Sequence, residues 1–151
     1  MANYYVYLIS SLPSLTFGVK PPISFGGLLK ACEGLIPDRD MAIIRALAGP
    51  EVDCPKTENI TLRKWSSFET MLRNELVKIR AARKKMDPVK YLREDGCAES
   101  FYAAHIAINA YRKMSLSESE KALDADRWKY LEELAIGHYF DLDLLITYAI
   151  K

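Results

Sequence analysis

The chain has 151 residues, enough for one domain or one and a half, and half of them are hydrophobic, so a real core is within reach. Charged residues make up 27%, with 21 basic against 20 acidic, a balance that gives no global field to recommend DNA, RNA or an anionic membrane. The asymmetry is local: Arg73 to Lys85 is basic, whereas Glu118 to Asp143 is largely acidic. Either stretch reads first as a solvated helix face.

Tyr4 to Ile9 is rich in Tyr and β-branched residues, a bias shared by a strand and by a buried helical turn, and the pattern leaves both open. Because its apolar run is short and no basic n-region precedes it, the N-terminus reads as neither a signal peptide nor a membrane helix. Pro13, Gly18 and Pro21-Pro22 mark a loop. Ser24 then caps a short predicted helix through Ile36, with Leu28, Leu29, Cys32, Leu35 and Ile36 inward. Pro37 stops it, and Asp38 or Asp40 starts another that buries Met41, Ile43, Ile44 and Leu47 and ends at Gly49-Pro50.

Glu51 to Asn59 has no apolar period and reads as a loop. Asn59-Ile60-Thr61 matches a glycosylation acceptor, a chance match where no secretory signal is read. Thr61 to Met86 follows as the longest unbroken helical pattern, free of Pro and Gly. Trp65, Phe68, Leu72, Leu76 and Ile79 form its apolar stripe. At about 1.5 Å per residue it would extend roughly 39 Å, a spine rather than a buried rod.

Asp87-Pro88 carries the cap-then-proline signature of a further helix bearing Val89, Tyr91 and Leu92 and ending at Gly96. Ala98 to Met114 is predicted to be a helix at the centre of a bundle, because Phe101, Tyr102, His105, Ile106, Ile108, Ala110 and Tyr111 leave little polar surface. Two more pieces are expected, Ser117 to Leu123 and Asp126 to Ile136, the second presenting Trp128, Leu131, Leu134 and Ala135 inward and capped by Gly137. The last, Asp141 to Lys151, is nearly all apolar, and such a face needs cover from another chain or from a continuation of this one. The predicted fold is all-α, an irregular multi-helix bundle with a long central helix, in a single helical domain that the last helix marks as the N-terminal part of a longer chain.

Chemistry-bearing patterns are sparse. Cys32, Cys54 and Cys97 are odd in number and far apart, which fits free thiols rather than disulfides or a metal motif. His105, on an apolar helix, reads as a core histidine, and His138 as a cation suited to a helix C-terminus. Neither has a cysteine at metal-site spacing. Carboxylates at Asp124, Asp126, Glu132, Glu133, Asp141 and Asp143 read as surface acids rather than a catalytic pair. Gly26-Gly27 is not followed by the Lys-Ser/Thr of a phosphate loop. No catalytic, cofactor-binding or metal-binding residue is assigned, and the chain reads as a non-enzymatic interaction protein. Arg80, Arg83, Lys84 and Lys85, at the basic end of the spine, lack the nearby aromatics of a nucleic-acid site and complement the helix terminus instead.

The opening NYYVYLISSLPSLTFG (residues 3–18) with KPPIS (residues 20–24), and the ending FDLDLLITYAIK (residues 140–151), resemble an uncharacterised bacterial family encoded among V-type (A/V-type) ATP synthase subunits. That family is distantly similar to the all-helical, funnel-shaped connector that joins the central stalk of a rotary ATPase to its membrane ring. The resemblance implies a non-catalytic structural part of a complex that couples proton or sodium transport to ATP. It implies a cytoplasmic location peripheral to the inner membrane, stalk and membrane-ring subunits as partners, and no cofactor, nucleic acid or direct membrane insertion. Members of the family continue past the equivalent of Ile150, and in a shortened chain the exposed apolar helix would pair two copies. The residues expected to touch partners are Arg80, Arg83, Lys84 and Lys85, together with Leu144, Leu145 and Tyr148. The competing expectation is a stand-alone helical adaptor or regulator unrelated to the ATPase.

Overall fold

A computed structural model describes residues 4–49, 58–93 and 100–151, excluding the side chains of residues 100 and 101. Among the described residues the chain is all-α, as the periodicities predict: α1 (Val6–Ser11), α2 (Phe25–Cys32), α3 (Asp38–Ala46), α4 (Ile60–Lys84), α5 (Ser100–Tyr111), α6 (Leu116–Leu134) and α7 (Leu142–Ile150), with a 3-10 turn at Val89–Tyr91. Two compact units form, one from Met1–Asp53 with Tyr130–Lys151, the other from Cys54–Lys129.

In the first unit the ambiguous opening is helical. Tyr5 and Leu8, three residues apart, are buried while Tyr4, Val6 and Tyr7 are exposed, a helical rather than an alternating pattern. The Tyr5 hydroxyl donates to Asp40 of α3, and its backbone N–H to the Phe140 carbonyl before α7. Ser24 caps α2 as expected, its Oγ accepting the Gly27 N–H at 3.1 Å. That helix stops at Cys32 rather than Ile36, because the chain turns through Gly34 at φ +73 and leaves Leu35 exposed. Leu28, Cys32, Ile36, Met41, Ile44, Leu145 and Ile146 are buried there, with α3 packed on both α2 and α7.

The second unit is built on α4, whose 25 residues confirm the spine. Asn59, read as loop, is its N-cap: Oδ1 accepts the Leu62 N–H at 2.8 Å. Phe68 and Leu72 of the expected stripe are fully buried, and Trp65, Leu76 and Ile79 half-buried. Burying a side chain of this size contributes about 1.5–3 kcal/mol each. Against α4 packs α5, and here the expected all-round burial is corrected. Among the described side chains of α5, Ala103, Ile106, Ala107 and Ala110 are enclosed, a narrow stripe whose alanines allow close approach, while Ile108 and Tyr111 are exposed and Tyr102, half-exposed, keeps its ring 6.3 Å from that of Phe68.

Two further expectations change. The helix predicted after Asp87-Pro88 is a single 3-10 turn, with Val89 and Tyr91 exposed. Gly96, its expected end, lies outside the described residues, as do Cys54 and Cys97. The two pieces expected between residues 117 and 136 are one continuous α6 of 19 residues, since neither Pro nor Gly interrupts it. Ser115 caps it, its Oγ accepting the Glu118 N–H at 3.1 Å, and Gly137 at φ +85 turns the chain beyond it.

Candidate interaction surfaces

In the second unit, α4 ends in a Schellman turn. Met86 N–H donates to the Ala81 carbonyl at 3.0 Å and Lys85 N–H to that of Ala82 at 3.2 Å. Lys85 takes the left-handed position, φ 53, where glycine is usual. Arg80, Arg83, Lys84 and Lys85 are all exposed. None has an ion-pair partner among the described residues, in contrast to Lys78, held by Glu75 at 2.6 Å, and Arg127, held by Glu69 at 2.7 Å and Asp124 at 3.0 Å. Burial alone would lower the Arg127 pKa, but the hydrogen bonds and charges of Glu69 and Asp124 outweigh it and the net shift is upward. The unpaired cations gather at the end of α4, where Arg83 and Lys84 of the last turn complement the helix dipole, and leave their positive field open to an anionic partner.

The α7 residues lie in the first unit. Asp141, not anticipated as a cap, holds the N-terminus of that helix, its Oδ1 accepting the Leu144 N–H at 3.0 Å. Leu145 is fully buried, which corrects the expectation that it stands on an open apolar face. Leu144 and Tyr148 are half-buried and, with Ile9, Pro13 and Leu15, line a cleft of about 310 Å³. The Tyr148 hydroxyl donates to the Pro13 carbonyl at 2.6 Å, and desolvation raises its pKa. The cleft is small and largely apolar, and both partners of that hydrogen bond line it. Leu12, Pro13, Ser14 and Leu15 of the opening loop form part of its wall.

The histidines depart from expectation too. His105 is exposed rather than core, its Nδ1 3.2 Å from Asn109 Nδ2. His138 meets both nearby aspartates, with Nδ1 2.6 Å from Asp141 Oδ2 and 3.8 Å from Asp143 Oδ2. One ligand atom from each of these residues falls within 4.8 Å of the others, so among the described residues they form a group that could hold a divalent ion. Helix capping accounts for the same arrangement: Asp141 caps α7, Asp143 sits in its first turn where the dipole favours a carboxylate, and the imidazole completes the pair. The sequence hid this cluster because its His-x-x-Asp-x-Asp spacing crosses a non-helical turn.

No helix among the described residues is long and apolar enough to cross a membrane. Comparison with protein-family models, with characterised proteins and with solved structures finds no significant match.

Proposed function

We propose that this chain is a non-catalytic structural or accessory subunit of a bacterial V-type ATP synthase, acting between the central stalk and the membrane ring in proton- or sodium-coupled ATP chemistry. The observation that carries the reading is the unpaired basic end of a 25-residue helix, Arg80, Arg83, Lys84 and Lys85. A connector needs stiffness and charge complementarity at its contacts, and α4 offers both. The likeness of residues 3–18, 20–24 and 140–151 to the family encoded with such synthases supplies the name of the complex. On this reading the protein works in the cytoplasm at the inner membrane, held there by its partners rather than by a span of its own.

A stand-alone helical adaptor is the second reading, favoured by the exposed Met86, Val89 and Tyr91, which suit a protein partner of any identity. Purification of the native protein from its own cells, with mass spectrometry of what accompanies it, separates the two. Stalk and membrane-ring subunits should co-purify in amounts comparable to the bait. An intact ATPase in the same extract, with none of its subunits bound, would leave only the adaptor.

A further inference from the structure

The chain after α4 is held at both ends of a short return path. At one end the Schellman turn reverses it at Lys85. At the other, Arg93 is fixed to the side of α4 by Asn74, whose Nδ2 donates to the Arg93 carbonyl at 2.7 Å and whose Oδ1 accepts the Arg93 N–H at 2.9 Å. Asn74 stands 11 residues before Lys85, about 16 Å along the helix at 1.5 Å per residue. Residues 86–93 therefore run back beside the last turns of α4. Within this return path, Asp87 Oδ1 accepts the Val89 N–H at 3.1 Å, and Tyr91 N–H donates to the Pro88 carbonyl at 2.9 Å.

This segment turns large apolar side chains outward: Met86 is 50% exposed, Val89 69% and Tyr91 51%. Three such residues within six positions are more than scattered surface hydrophobicity, and Met, Tyr and Arg are the types enriched where proteins meet. Beside them stand Arg80, Arg83, Lys84 and Lys85, without acid partners among the described residues. The backbone is already in place, so little ordering would be lost on binding.

We propose that the return turn and the basic end of α4 form one docking surface for a protein segment carrying carboxylates beside an apolar stripe. Phosphates could use the cations but would leave Met86 and Val89 uncovered, and Tyr91 alone is a poor base-stacking platform. A bilayer would need a longer apolar face than one turn provides. An acidic amphipathic segment satisfies both halves of the surface. Lys85 fits the same picture: a side chain kept where glycine would be less strained puts one more cation on the rim. The inference rests on reading the chain as a non-catalytic binding part, but not on which complex the partner belongs to.

The test places a photo-crosslinking benzoylphenylalanine at Val89, and separately at Ile136, which is 76% exposed in the other unit, in the full chain expressed in its native cells. The Val89 adduct should be a protein whose cross-linked peptide is rich in Asp and Glu beside Leu or Ile. Arg83→Glu with Lys84→Glu should reduce that adduct at least fivefold and leave any Ile136 adduct unchanged, with circular dichroism confirming the fold. Adducts at Val89 to RNA or lipid alone, a neutral or basic peptide, indifference to charge reversal, or no adduct would each overturn the proposal. If the mapped peptide belongs to a protein outside the V-type ATPase, the surface stands and the subunit reading falls. If ATPase subunits co-purify while Val89 gives no protein adduct at all, the surface falls and the subunit reading stands.

Discussion

Asn74 and Arg93 exchange two hydrogen bonds across 19 residues of chain, the buried side-chain amide of one satisfying both backbone groups of the other. An amide is the side chain that can donate and accept in this way at once, which makes Asn74 hard to replace. Asn74→Ala is expected to destabilise the second unit by about 1–3 kcal/mol, the cost of leaving partly buried polar groups unpaired. Urea unfolding followed by circular dichroism reads this directly. Asn74→Asp keeps the acceptor but sets a carboxylate against the Arg93 carbonyl, and should be no better. An unchanged midpoint in both variants would mean that water replaces the clamp without loss.

Arg127 bridges α6 to α4 through Glu69 and also meets Asp124 one turn earlier. Both partners of the interhelical pair keep about a third of their surface in water, so screening limits the gain. A double-mutant cycle on Glu69→Ala and Arg127→Ala should return a coupling of about 0.5–1 kcal/mol, falling with added salt. A coupling that does not respond to salt would point to packing of the Arg127 stem rather than to charge.

How much of this was legible beforehand divides by mechanism. Local signals carried well: Ser24 at the start of α2, Gly137 after α6 and the breaker-free run of α4 all act through nearest neighbours in sequence. Where burial is decided by distant residues the pattern failed. A largely apolar α5 does not say which stripe faces α4, and the answer lies in where its alanines fall. Asp87-Pro88 announced a helix, but Arg93 is captured by Asn74 and the helix never extends past its first turn. Two pieces were expected where α6 is one helix, although nothing between Leu123 and Asp126 prevents helix formation. The basic end of α4 could be named from sequence, while the apolar half of the surface beside it could not, since Val89 and Tyr91 were assigned to a helix that does not form.

Cys32 is fully enclosed, and desolvation raises its pKa above the usual thiol value of 9.0. In the native protein carrying Cys54→Ser and Cys97→Ser, a thiol-reactive probe at pH 8 should label Cys32 only on the timescale of unfolding, and promptly in 6 M guanidinium. Because the folded pKa lies above the unfolded one, the neutral thiol's contribution is fully present below about pH 9 and is lost as pH rises through the folded value. Rapid native labelling would show that the first unit opens far more readily than its packing implies.

Tyr148 follows the same sign. Its pKa is raised by burial from 10.0, and its phenol donates to the Pro13 carbonyl. Its contribution should be whole below about pH 10 and fade as pH climbs through the folded value, since only the unfolded phenol then ionises freely. Tyr148→Phe should cost about 1 kcal/mol at neutral pH, one hydrogen bond, and should flatten the alkaline fall in stability between wild type and variant. If the two chains lose stability in parallel above pH 10, the phenol is not the group responsible.

Lys85→Gly sets stability against the proposed docking surface. A non-glycine residue in the left-handed region carries a steric cost of about 1–2 kcal/mol, which glycine avoids while adding backbone entropy to the unfolded chain. With Lys85 at φ 53 in a Schellman turn already formed by Ala81, Ala82 and Met86, the net effect should be a stabilisation of about 0.5–1 kcal/mol. The same change removes a rim cation, so cross-linking at Val89 should weaken by a smaller factor than on reversing Arg83 and Lys84. Thermal melting and the adduct yield, measured on one preparation, test both halves. A variant that is stabilised and cross-links as well as wild type would mean that Lys85 is tolerated at this turn rather than kept for its charge.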